Sequence, residues 1–119
     1  MQQAQHKYDL EERTLLFAQD CRTFIKKVPR TISNIEDCTQ LARSSGSVPA
    51  NYIEANEALG KKDFLMRVKI CRKEARESGC WLELITPSVT PSLQDEHKAL
   101  QQEACELKLI FNAIVQKLL

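Results

Sequence analysis

Apolar residues along this chain recur at steps of three and four, and no segment alternates with period two over a strand's length. That spacing predicts amphipathic helices. Leu10, Thr14, Phe17, Cys21, Phe24 and Val28 form the first stripe. Asp9 precedes it as an N-cap with Glu12 three residues on, and Pro29 stops it. Acidic Asp9, Glu11 and Glu12 crowd the start and Lys26 and Lys27 the end, the polarity the helix dipole favours.

Ser33, Asn34, Ile35 and Glu36 read as a capping box for a second helix. Ile35, Cys38, Leu41 or Ala42, Ser45, Val48 and Tyr52 then keep phase through both Gly46 and Pro49. Unbroken phase predicts one long helix kinked at Pro49. The alternative is two helices parted at the linker-like run Arg43 to Ser47, with Ser47 capping the second. Gly60 is expected to end this element as a left-handed C-cap. Phe64, Val68, Cys71, Ala75, Ser78 and Leu82 mark a third helix, with Trp81 beside them. Pro87 and Pro91 bracket a break. Thr90 or Ser92 then caps a fourth helix, whose inner face is Leu93, His97, Leu100, Ala104, Leu107, Phe111, Ile114 and Leu118. The expected fold is all-α, an up-and-down four-helix bundle, with residues 1–119 forming a single domain.

Composition narrows the picture. At 119 residues the chain can build one core but not two ordinary ones. No apolar run approaches the ~20 residues that span a bilayer, and the first seven residues carry no apolar signal core. A cytoplasmic protein without a membrane partner is expected. The five cysteines contain no C-x-x-C pair; Cys21, Cys38 and Cys71 fall on apolar helical positions and are expected in the core. Zinc would want clustered ligands, and neither His6 nor His97 is near a cysteine in sequence.

Some large apolar residues miss the inner stripes: Leu15 and Leu16, Met66 and Ile70, Leu109 and Ile110. Their spread over three helices predicts a second contact surface, most simply self-association. Net charge is only +1, yet residues 61–76 hold seven cations against two carboxylates. Lys62, Lys69, Arg72, Lys73 and Arg76 fall within an arc of about 100°, opposite the Phe64/Val68/Cys71 face. Such a stripe is a candidate for tracking phosphates of RNA or DNA. Its alternatives are a solvated face, or pairing across subunits with Glu36, Asp37, Glu54 and Glu57.

A proline inside a helix costs ~3 kcal/mol, so something should offset Pro49. It lies in Ser47-Val48-Pro49-Ala50-Asn51-Tyr52-Ile53-Glu54. That octet resembles the S-x-P-A-N-x-x-E core of the four-helix-bundle proteins encoded by intervening sequences in bacterial 23S rRNA genes. Gly60-Lys61-Lys62-Asp63-Phe64 is similar to the entry of that family's third helix. The run from Lys73 to Leu84 resembles the K-E-A-x-E-x-x-Y-W-L-x-L of one subgroup. A more remote similarity is to accessory proteins of diversity-generating retroelements. The resemblance implies a homopentameric bundle for which nucleic-acid binding is the usual proposal, and a reverse transcriptase is a partner among the retroelement relatives. Those relatives are strongly basic and this chain is not; Gly79-Cys80 also stands where relatives carry a bulkier pair.

Asn51, Glu54, Glu74 and Glu77 are expected to form a structural polar network between the second and third helices, with Arg43 or Arg76 as counter-charge. Di-metal bundles use Glu-x-x-His pairs, and neither histidine follows a glutamate at that spacing. No phosphate loop or nucleophile elbow is present. The expectation is a non-enzymatic, oligomeric protein with no catalytic residues, cofactor or metal. It would bind nucleic acid weakly through Lys62, Lys69, Arg72, Lys73 and Arg76, or else serve as a protein-interaction scaffold.

Overall fold

In the computed structural model, which describes residues 9–87 and 90–119, Asp9 opens the first helix by accepting the Glu12 N–H at 2.9 Å. Helix α1 runs Leu10–Ile25, α2 Ile32–Asn56, α3 Lys61–Leu84 and α4 Pro91–Leu118. The described residues contain no strand, and the fold is an all-α four-helix bundle. Each helix packs on its neighbours in sequence, and α1 returns to α4; no close approach joins α1 to α3 or α2 to α4. None of the four is long and apolar enough to cross a membrane. Ser88 and Val89, within the expected break, lie outside the described residues, as does His6.

The core follows the sequence stripes closely. Phe17, Cys21 and Phe24 of α1, Leu41 and Val48 of α2, Val68, Cys71, Ala75 and Leu82 of α3, and Leu100, Leu107 and Phe111 of α4 are all buried. On α4, Val115 takes the innermost place near the C-terminus, and Ile114 is half-buried. Ile35, expected inside, is 41% exposed.

Two cap assignments need correction. The second helix starts earlier than the Ser33–Glu36 box implies. Thr31 is its N-cap, accepting the Asn34 N–H through Oγ1 at 3.1 Å. This frees the Asn34 side chain, 2% exposed, for other work. Its Nδ2 donates to the carbonyls of Pro29 (3.0 Å) and Thr86 (2.9 Å), and its Oδ1 accepts the Thr86 N–H (3.0 Å). One amide thus ties the α1–α2 connection to the α3–α4 connection. The second correction concerns Gly60. With φ −162° it is extended, and it stands as the N-cap of α3. Helix α2 has already closed at Glu57 through N–H bonds to the Ile53 and Glu54 carbonyls, with no left-handed residue.

Pro49 is buried inside an unbroken α2, so the single-helix alternative is the one realised. Small buried side chains lie one turn before it on α2: Ser44 faces Ser78 of α3, and Ser45 faces Cys21 and Arg22 of α1. The Ser44 and Ser78 hydroxyls meet at 2.8 Å, and the Cys71 thiol donates to the Val48 carbonyl at 3.6 Å. Gly46 has a steric reason. The Arg22 guanidinium crosses from α1 to donate to the Ala42 carbonyl at 3.1 Å, and a Cβ at Gly46 would come within 3.0 Å of it.

Gly79 is different. An added Cβ there would meet only the Ala104 Cβ, at an ordinary 3.7 Å. Gly79→Ala should therefore gain most of the helix-propensity difference, stabilising the fold by about 0.5–1 kcal/mol. Urea unfolding of the two proteins checks this; a destabilised variant would show that α3 and α4 cannot accept the methyl.

The α1–α4 contact is the slightest of the four. Arg13 closes it with a two-pronged bond to Glu103 (2.7 and 2.8 Å) and a third to Glu106 (2.9 Å), and Lys27 meets Glu96 at 2.7 Å. The hydrogen bond to Glu103 holds the Arg13 guanidinium above its ordinary pKa. Gln102, and then Arg13, hold the Glu106 carboxyl below its own. His97 has a different structural task on α4. It stacks parallel on Phe24, ring centroids 5.4 Å apart, and its Nε2 bonds the Leu82 carbonyl, one of the last in α3 without a helical donor.

Candidate nucleic-acid interface

Burying the Phe64–Leu82 stripe of α3 forces the opposite face outward, and that face carries the cations. Lys69, Arg72, Lys73 and Arg76 line a cleft of about 740 Å³ between α3 and α4. Lys62, the fifth residue of the predicted stripe, is exposed near the start of α3, about 10 Å before Lys69 along the axis, and does not line the cleft. The opposite wall supplies Lys108, Leu109 and Asn112, and Glu77 and Cys80 complete the lining. Arg72 is fixed across the seam by donating to the Asn112 Oδ1 at 2.9 Å. A continuation of the cleft between Gly79 and Ala104 is lined by Arg76, Cys80, Glu83, Gln101, Cys105 and Lys108, among others.

Lys108 is the residue that sequence reasoning missed. Gln101, Cys105, Lys108 and Asn112 repeat at four, three and four residues beside the inner stripe of α4. The periodicity marks a flank facing a neighbour, but only the packing of α4 on α3 shows which neighbour. The cations are also moderated locally. Lys73 lies 3.8 Å from Glu74. Desolvation, and then the neighbouring Glu77 charge, push the Glu74 carboxyl above the usual carboxylate range.

The structure does not bring the four predicted network residues together. Asn51 donates to the Ser47 carbonyl and hydroxyl, both at 2.9 Å, and accepts from Arg67 at 3.0 Å. Arg67, rather than Arg43 or Arg76, is its counter-charge. The helices run antiparallel with Asn51 level with Arg67 and Ser44 level with Ser78. Glu54 thus sits exposed near the first turns of α3, while Glu74 and Glu77 lie about three turns further along. Among the described residues, no group of three or more His, Cys, Asp or Glu is placed to hold a metal.

The chain matches the family model described as "23S rRNA-intervening sequence protein" over residues 6–113. No curated protein matches it. Among solved structures it is similar to a protein of unknown function from the S23 ribosomal protein family of Bacteroides thetaiotaomicron. The two share 24% identity over 90% of this chain and 98% of that one, with a TM-score of 0.73, a likeness of fold.

Proposed function

This chain belongs to the 23S rRNA-intervening sequence protein family, and from that premise we propose that it is a non-enzymatic, self-assembling bundle that binds nucleic acid weakly. The observation that carries the reading is the convergence of Lys69, Arg72, Lys73, Arg76 and Lys108 on one cleft. Cations on two walls can follow a phosphate backbone, each contact releasing a condensed counterion. With no aromatic residue in the lining, the cleft lacks a platform for stacking bases. Recognition then rests on charge, with little sequence preference.

Assembly is supported by apolar surface on diagonally opposed helices. Leu15 and Leu16 on α1 are 51% and 37% exposed, and Met66 on α3 is 47% exposed. Two different patches on opposite sides of a subunit suit a head-to-tail contact, which makes a ring when the rotation between copies closes; a homopentamer is the number the family resemblance implies. Five copies of the cleft would make a weak contact useful. The same exposed residues favour a second reading, a scaffold for another protein.

Fluorescence anisotropy with labelled RNA and DNA at two salt concentrations separates them. Replacing Arg72, Arg76 and Lys108 together with glutamine should weaken binding about tenfold or more at low salt and flatten the salt dependence. No binding by the parent protein at low salt would remove the nucleic-acid reading. Light scattering that finds a lone subunit at high concentration would remove the assembly.

A further inference from the structure

The five cysteines divide sharply. Cys21, Cys38 and Cys71 are buried, and desolvation pushes the Cys21 and Cys71 thiols up to about 12, which keeps them protonated and inert. Cys80 and Cys105 are exposed, one on each wall of the cationic cleft. The cause is geometric. Gly79 faces Ala104 where α3 and α4 come close, and in antiparallel helices the next residue on each turns to the same side of the seam. Each thiol has a cation about one turn away on its own helix, Arg76 for Cys80 and Lys108 for Cys105. The carboxylates facing this space are Glu77 and Glu83. Against them stand Lys69, Arg72, Lys73, Arg76 and Lys108, so the cleft stays positive.

We infer that Cys80, with Cys105 as a second thiol, is a modification site for anionic small disulfides of the glutathione kind. Arg76 and Lys108 hold the carboxylates of the incoming disulfide while the Cys80 thiolate attacks one of its sulfurs. The reagent's S–S bond breaks and a Cys80–S–S bond forms. One glutathione leaves as a thiolate and takes up the proton that Cys80 gave to solvent. The disulfide is itself the oxidant, so the step balances without another. The adduct leaves its carboxylates among the cleft cations. Its consequence for binding rests on the nucleic-acid reading above; the reaction itself does not.

The test uses the reduced full-length protein with oxidised glutathione and with cystamine, an anionic and a cationic disulfide. Each rate is normalised to the neutral thiol N-acetylcysteinamide. Intact mass and peptide mapping follow the site. The anionic reagent should be favoured about tenfold at low salt, with the preference lost at high salt and the first adduct on Cys80. Cys80→Ser should remove the fast phase. In the Arg76→Gln, Lys108→Gln double variant the normalised rate with oxidised glutathione should fall toward that with cystamine, so that the preference is lost. Equal normalised rates for both reagents, or first modification at a buried cysteine, would overturn the proposal. An adduct that forms as described but leaves RNA affinity unchanged supports the site and counts against the nucleic-acid reading.

Discussion

Replacing Phe111 with alanine is expected to destabilise the protein by about 4 kcal/mol, the largest effect of any single change considered. Phe111 has no exposed surface and packs in the core with Leu107 and Val115. Its ring also meets Tyr52 of α2, centroids 5.9 Å apart and tilted by 49°, so one side chain joins helices that make no backbone approach. The loss combines transfer of the ring, a cavity that α3 between them cannot fill, and the aromatic pair. For a domain of this size the midpoint of thermal unfolding should fall by roughly 15 °C. Calorimetry reads it directly. Phe111→Leu should cost far less, and equal losses from the two variants would show that the site collapses around any replacement.

Asn34→Ala is expected to cost about 2–3 kcal/mol, although it removes only a small polar group. Three backbone partners lose their bonds at once: the carbonyls of Pro29 and Thr86 and the Thr86 N–H. The Pro29 carbonyl keeps the Thr31 N–H, but the Thr86 groups lose the partner they had and carry their own desolvation penalty. Asn34→Asp separates this from a simple loss of packing. The aspartate can still accept the Thr86 N–H, but its other oxygen faces carbonyls that want a donor. Its charged form is disfavoured, so its folded-state pKa would be raised above the unfolded value. Stability is then regained as pH falls below the folded value and lost as pH rises through it. Urea midpoints for Asn34→Asp at pH 4 and pH 7 should differ in that direction; Asn34→Ala should show no such extra difference relative to the parent protein.

These two residues differ in how readable they are. Phe111 sits on a stripe of period three and four, and an apolar residue at such a spacing has only one place to go. The inward turn of Cys21, Cys38 and Cys71 was legible for the same reason, as was a single α2, because the phase of Cys38, Leu41 and Val48 continues beyond Pro49 to Tyr52. Asn34 was misread as part of a capping box because side-chain oxygens near a helix start look alike in sequence. Thr31, three residues earlier, reaches the helix amide instead, and the Thr86 backbone that Asn34 also bonds is 52 residues away. Gly60 was misread similarly: glycine is favoured at one helix end and tolerated at the other, and the three residues after Asn56 turn without it. In the cleft, the α3 cations could be read from one helix alone. Lys108 and the pairing of Cys80 with Cys105 across a seam depend on α4 lying antiparallel beside α3, which no local pattern encodes. The expected carboxylate network failed on register, since three turns separate Glu54 from Glu74.

The seam between α1 and α4 gives the bundle a clasp. On the other three edges apolar packing is joined by hydrogen bonds in which at least one partner is uncharged, and screening touches these less. The clasp, built from Arg13, Glu103, Glu106, Lys27 and Glu96, loosens as ions screen it. Raising the salt concentration therefore weakens the α1–α4 edge more than the other three.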